Sequence, residues 1–179
     1  AVVVPAFEEE HLVAETLRGI PDFVDRIYVV DDASPDGTAA AARAVGDPRV
    51  EVIVHERNGG VGAAIVTGYL RAREERIDVT CVMAADNQMD PSELADFVEP
   101  VARGEVDYTK ANRLITGEAW QLIPRARYLG NAVLSLLTKI ASGYWHVADS
   151  QAGYSAVSLQ ALRKLDLDRV YRRYGFPND

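Results

Sequence analysis

The chain has little of what would equip it for thiol chemistry, a disulfide scaffold or nucleic-acid binding. Its single cysteine, Cys81, excludes an internal disulfide and fits a reducing compartment. That cysteine lies in the apolar run Val79-Thr80-Cys81-Val82-Met83, which predicts a buried, inert thiol. The three histidines, His11, His55 and His146, share no metal-ligand spacing and are assigned to surface or packing positions. Basic residues are in the minority, 19 against 27 acidic, and a net charge of −8 excludes a general nucleic-acid binder. No stretch is long and apolar enough to span a bilayer, and Ala1-Val2-Val3-Val4 opens without the basic segment of a secretory signal. The glycine-rich segment Arg57-Asn58-Gly59-Gly60-Val61-Gly62 has neither the G-x-G-x-x-G spacing of a dinucleotide site nor the Gly-Lys-Ser/Thr of a P-loop. Two common classes of nucleotide enzyme are thereby set aside.

What is present is the composition of one globular domain. The chain has 179 residues, 48% of them hydrophobic, enough for a core of its own. Residues 1–179 are read as a single domain. Because the first residue falls within a strand and the last within a motif, this domain is expected to be a piece of a longer chain.

Short β-branched runs at Val2–Val4, Ile27–Val30, Val50–Val54, Val79–Met83 and Val106–Ala111 alternate with helical patterns at His11–Gly19, Gly37–Val45, Gly62–Arg73 and Pro91–Arg103. Continuous apolar strands between helices predict an α/β fold, a mostly parallel, Rossmann-like central sheet with helices on both faces. Further on, Pro124–Ala141 is expected as one helix, Val147–Val157 as a strand and Leu159–Leu165 as a short helix. Ligands of such sheets gather at the carboxyl ends of the strands. Polar clusters fall there four times, at Glu8–Glu10, Asp31–Asp36, Arg57–Gly62 and Asp86–Asp90.

Each cluster has chemistry of its own. In Asp31-Asp32-Ala33-Ser34-Pro35-Asp36-Gly37, a carboxylate just past a strand can accept from a ribose hydroxyl or a base N–H, or it can serve only the turn. The turn at Gly59 and Gly60 lets backbone approach a ligand closely at a helix start. Asp86 and Gln88, two apart at a strand end, can present two oxygens to one hard cation, which would neutralise a diphosphate leaving group. Asp90-Pro91-Ser92-Glu93 reads first as a helix cap, with any metal role for Asp90 secondary. Between Lys110 and Lys139 five basic residues face one acid, an island of +4 in an otherwise acidic chain. It fits either a local anionic ligand or an ordinary solvated helix face.

In this order and spacing, the segments resemble family 2 glycosyltransferases of the GT-A fold, most nearly the polyprenyl-phosphate, dolichol-phosphate mannose synthase-like branch. Pro5-Ala6-Phe7-Glu8-Glu9 is similar to the family's first-strand Pro-x-aromatic-Asn-Glu, with Glu8 in place of the usual Asn. Asp86 matches the second acid of its Asp-x-Asp and Gln88 the Gln that follows, while Ala84 stands where the first acid belongs. Lys110-x-Asn112-Arg113 resembles the arginine that reaches the donor phosphates, and Asp149-x-x-x-Gly153-Tyr154 a segment near the acceptor. The resemblance implies a donor-binding set of Pro5, Phe7, Glu9, Val30, Asp32, Gly59, Ala85, Asp86, Gln88 and Arg113. It implies Mg²⁺ or Mn²⁺ on Asp86 and Gln88, and catalysis resting on Asp86, Arg113 and Asp179. Asp179 lies 93 residues beyond Asp86, about where inverting members carry an acidic base. A frayed terminus is the alternative there, since a phosphate acceptor is already anionic and needs no base.

The expected activity is transfer of a hexose from a nucleoside-diphosphate sugar to a polyprenyl-phosphate or other lipid-phosphate acceptor, with inversion. The expected location is cytoplasmic, at the cytoplasmic face of a membrane. The helix at Pro124, headed by Arg125 and Arg127, fits a peripheral contact with an anionic membrane surface, and a buried core helix equally well. The rivals are transfer to a soluble glycan or small-molecule acceptor, and a non-catalytic nucleotide-sugar-binding module suggested by Ala84. A nucleotidyltransferase is more distant, because Glu8-Glu9-Glu10 stands where its phosphate loop would be.

Overall fold

The computed structural model describes residues 1–111 and 153–169, together with Ile140 and Gly143. Among these residues six strands form one sheet: β1 (Val2–Ala6), β2 (Ile27–Asp31), β3 (Val50–Val54), β4 (Val79–Val82), β5 (Tyr108–Lys110) and β6 (Ser155–Ser158). Their order across the sheet is β3-β2-β1-β4-β6-β5. The first four strands run parallel, and β6 runs antiparallel to both β4 and β5. The mostly parallel sheet expected from the apolar runs is therefore present. The insertion of β6 between β4 and β5 was not foreseen, because no local pattern encodes which strand a late segment pairs with.

The helices α1 (Val13–Gly19), α2 (Thr38–Ala44), α3 (Val61–Glu74), α4 (Leu94–Ala102) and α5 (Leu159–Lys164) cover the sheet, with 3₁₀ turns at Pro91–Glu93 and Leu167–Arg169. Alternation along β1 sends its residues to two cores. Val2, Val4 and Ala6 pack with Val13 and Leu17 of α1, Ala42 of α2 and Leu94 of α4. Val3 packs on the other face with Tyr28, Val30 and Ala64 of α3. Gly68 makes the second contact close: a Cβ there would lie 2.2 Å from Val3 Cγ1, so only glycine lets α3 rest on β1 at this depth. Cys81 is fully buried, as expected, and burial pushes its thiol up to about 11.

Pro5 explains where the sheet opens. Proline has no N–H for a central strand, and the β1–β4 ladder stops at Val3↔Val82 while β1–β2 continues to Ala6↔Asp31. After Val3 the β1–β4 pairing ends, its last bond running from the Met83 N–H to the Val3 carbonyl at 3.0 Å. This is also where the strand order reverses direction, the position at which open α/β sheets take ligands. The helix expected over Pro124–Ala141 and the Asp149–Ala152 half of the acceptor-like segment lie outside the described residues.

Candidate active site

Three loops meet at this edge, and side chains stitch two of them together. The backbone N–H of Glu8 donates to Ser34 Oγ at 3.1 Å, that of Glu9 to Thr38 Oγ1 at 2.8 Å, and that of Glu10 to Asp36 Oδ2 at 3.3 Å. In return the Glu10 carboxylate accepts from the N–H of Gly37 at 3.1 Å, at the start of α2. Glu10 is thereby a helix cap, placed where a negative charge meets the positive end of the helix dipole. Glu8, Ala33 and Asn87 all adopt positive φ, at 59°, 60° and 56°. Three of the four non-glycine residues of this kind among the described residues thus follow β1, β2 and β4 at the same edge. Such backbone is held only where the surroundings over-determine it, and it concentrates at functional sites.

The two aspartates after β2 have separate tasks. Asp31 Oδ1 accepts from the Ser34 N–H at 3.1 Å and from the Ser34 hydroxyl, which closes the turn. Asp32 points the other way and is 3% exposed. Its Oδ1 accepts from Gly59 N–H at 2.9 Å and faces His55 Nδ1 at 2.7 Å, and its Oδ2 accepts from Gly60 N–H at 2.7 Å. Gly60 has φ 90° and ψ 164°, which a side chain would strain. Asp32 therefore folds the glycine turn around itself. A carboxylate has about four lone-pair positions; three are taken here, which leaves one on Oδ2. His55 was assigned to surface or packing from sequence and instead forms part of this assembly. The signal that would have found it is weak: a histidine directly after a strand, four residues before the glycine turn.

The remaining expected site residues divide by what they can offer. Pro5 is buried in β1, Phe7 is half-buried just past it, and Gly59 is half-buried in the turn. Val30 and Ala85 have their side chains sealed in the two cores, so only their main chain can meet a ligand. The Ala85 carbonyl is already taken by the Thr16 hydroxyl at 3.0 Å. Asp86 is half-buried, with Oδ1 accepting from Gln88 N–H at 3.1 Å, and the Gln88 side chain is exposed. Asp90 caps the 3₁₀ turn through Ser92 N–H at 2.8 Å, in keeping with its sequence reading, and these bonds hold its carboxyl below the usual range. Tyr154 is buried: its ring stacks 4.4 Å from Phe97, and its hydroxyl donates to the Asp90 carbonyl at 3.2 Å. It supports the loop after β4. Arg113 and Asp179 lie outside the described residues.

Acidic side chains gather at this edge of the sheet. Desolvation, and then the charges of Asp86 and Asp36, raise the Glu9 carboxyl above its ordinary value. The charge of Asp86, from the loop after β4, thus bears on Glu9, from the loop after β1.

Residues 1–166 match Glycosyl transferase family 2. The chain belongs to this family. Its curated relatives include transferases named for polyprenyl-phosphate acceptors. It is 33% identical to the undecaprenyl-phosphate mannosyltransferase of Micrococcus luteus, over 99% of this chain and 74% of that protein. It is 30% identical to the polyprenol monophosphomannose synthase of Mycolicibacterium smegmatis, over 94% of this chain and 65% of that protein. Identity with the UDP-N-acetylglucosamine–dolichyl-phosphate N-acetylglucosaminyltransferase of Methanococcus voltae is 29%, over 97% of the chain and 74% of the relative. Among solved structures, glucosyl-3-phosphoglycerate synthase from Mycobacterium tuberculosis, in complex with Mn²⁺ and UDP-glucose, superposes with a TM-score of 0.70 at 22% identity. The transferase covers 57% of that chain, and the likeness establishes the GT-A fold.

The donor set suits a divalent cation only in part. Among the described residues no group of three or more His, Cys, Asp or Glu side chains is placed to hold a metal. Ala84, at the position of the missing acid, only donates its N–H to Met89 Sδ at 3.4 Å. What remains is hard oxygen, from Asp86 and Gln88, at an edge where the charges of Asp86 and Asp36 add to desolvation in raising Glu9. That matches a cation whose shell is completed by phosphate and water. Among the described residues no helix is long and apolar enough to cross a membrane.

Proposed function

We propose that this transferase moves a hexose from a nucleoside-diphosphate sugar to a polyprenyl phosphate, inverting the anomeric centre. The observation that carries the reading is the gathering of polar loops at the carboxyl ends of β1, β2 and β4: the charge of Asp86 bears on Glu9, and Asp32 binds the glycine turn. The names and coverage of the polyprenyl-phosphate relatives support the acceptor class.

The nucleoside would lie over Pro5, Phe7 and Glu9, with the free lone pair of Asp32 accepting from a base or ribose donor. Glycine backbone at Gly59 allows close approach there. Asp86 and Gln88 would hold Mg²⁺ or Mn²⁺, which when bound supplies electrostatic stabilisation to the departing diphosphate. Arg113 would add its charge to the same phosphates. A lipid-phosphate oxygen attacks the anomeric carbon from the face opposite the diphosphate, and the carbon–oxygen bond to the diphosphate breaks. An anionic phosphate needs no base to deprotonate it. Asp179 would act as base only toward a sugar-hydroxyl acceptor. The site of action would be the cytoplasmic face of a membrane, touched peripherally.

Calorimetric titration of Mn²⁺ with and without UDP or GDP tests the reading. Weak metal binding alone and mutual strengthening with nucleotide are expected, each raising the other's affinity by the same factor. Ala84→Asp should strengthen metal binding in the absence of nucleotide. Tight nucleotide-independent binding by the wild type would show that the ligands lie elsewhere. No metal effect under any condition would favour a metal-free transferase or a binding module.

A further inference from the structure

The Asp32 assembly extends beyond the two glycines. His55 directly follows β3, and its backbone N–H donates to the Asp31 carbonyl at 2.9 Å, prolonging the β2–β3 ladder by one bond. The imidazole is thus delivered from the sheet to the underside of the glycine turn, with its side chain 18% exposed. Nδ1 lies 2.7 Å from Asp32 Oδ1, and Nε2 lies 2.9 Å from Thr67 Oγ1 on α3. An ionised carboxylate only accepts, so Nδ1 carries its proton toward Asp32, while Nε2 is held by the Thr67 hydroxyl, a group that can either donate or accept. The contacts close a ring: α3 holds His55, His55 holds Asp32, and Asp32 holds Gly59 and Gly60, which lead back into α3.

We infer that His55 is a positioning residue for donor binding. It fixes the rotation of the Asp32 carboxylate, so that the glycine turn keeps its shape and the remaining Oδ2 lone pair faces the ligand. This rests on the placement of a nucleoside diphosphate at Asp32 proposed above. His55 touches no reacting atom in this scheme, so its loss should appear in donor affinity and KM, with kcat little changed. Losing one hydrogen bond to a charged partner corresponds to a roughly tenfold to hundredfold effect.

The test uses four variants, His55→Ala, His55→Asn, His55→Gln and Thr67→Val. Two readouts are needed: amide exchange at Gly59 and Gly60, and calorimetric titration with UDP and with GDP in the presence of Mn²⁺. An Asn amide nitrogen stands where Nδ1 stands, one bond from Cγ, whereas Gln reaches toward the position of Nε2. His55→Ala is expected to speed exchange at both glycines and to weaken the nucleotide by about tenfold or more. His55→Asn should recover most of the affinity and His55→Gln little of it. Thr67→Val, which keeps the bond to Asp32, should cost only about threefold. A folded His55→Ala with wild-type exchange overturns the clamp. Faster exchange with unchanged nucleotide affinity overturns the role in donor binding. If His55→Ala does not fold, equal affinities for the Asn and Gln variants overturn the inference. A wild type that binds neither nucleotide overturns the donor-site reading and the affinity half with it, while exchange at the glycines still decides whether His55 holds the turn.

Discussion

Replacing Asp32 with alanine should destabilise the fold as well as the site. The carboxylate is 3% exposed and takes three donors, the N–H groups of Gly59 and Gly60 and the His55 ring. Alanine leaves all three without an acceptor. The Gly60 N–H is buried, and an orphaned buried donor costs about 1–3 kcal/mol. Gly59 and His55 are half-buried and regain water in part, so each should lose about 1 kcal/mol. The sum, about 3–5 kcal/mol, is a large share of the roughly 5–15 kcal/mol that holds a typical domain. Urea denaturation followed by circular dichroism measures it, with an unchanged slope showing that the same surface is exposed on unfolding. Asp32→Asn sharpens the test. Donors converge on both oxygens, two at Oδ1 and one at Oδ2, so either orientation of an amide sets an NH₂ against a donor. Asparagine should therefore rescue only part of the loss. A loss below about 1 kcal/mol for alanine, or full stability for asparagine, would refute the structural role of Asp32.

Two further perturbations act on the same edge. Glu8 holds φ 59°, a left-handed conformation that asparagine tolerates better, so Glu8→Asn should stabilise by about 0.5–1 kcal/mol, seen as a raised melting temperature. The Glu9 carboxyl is raised by desolvation and by Asp86 and Asp36. Its protonated form is thus favoured by folding, and the stability it adds under acid conditions is lost as pH rises through its folded value. Glu9→Gln should remove this term, so the stability difference between variant and wild type should favour the variant at neutral pH and shrink on acidification. A difference that does not change with pH would count against the desolvation and repulsion acting on Glu9.

The sequence was most legible where pattern and chemistry coincide. Apolar runs located β1 to β4 to within about two residues, because β1, β2 and β4 are buried along their length and the half-buried edge strand β3 still has four Val and Ile residues in five. Asp90 was readable as a cap because the Asp-Pro-Ser order serves little else. Other features depend on contacts between distant residues. Ser155–Ser158 enters the sheet beside β4 through pairings 73 to 79 residues apart, which no local period announces. His55 looked solitary because its partners, Asp32 and Thr67, lie 23 and 12 residues away on other elements. Asp31 and Asp32 are adjacent and identical in type, and only the geometry shows that one closes a turn while the other builds the glycine loop. Glu10 read as one acid among three until its carboxylate was seen at the start of α2.

The proposed reaction is tested most directly by following the sugar. The transferase is incubated with radiolabelled UDP- and GDP-hexoses, Mn²⁺ and a polyprenyl phosphate in mixed micelles, and the products are partitioned between organic solvent and water. Label should pass into the organic phase with one donor, only in the presence of the lipid phosphate, as a mild-acid-labile hexosyl phosphate of inverted anomeric configuration. Label that stays in water with the lipid present, and appears on phosphoglycerate or a glycan when one is supplied, would contradict the lipid acceptor.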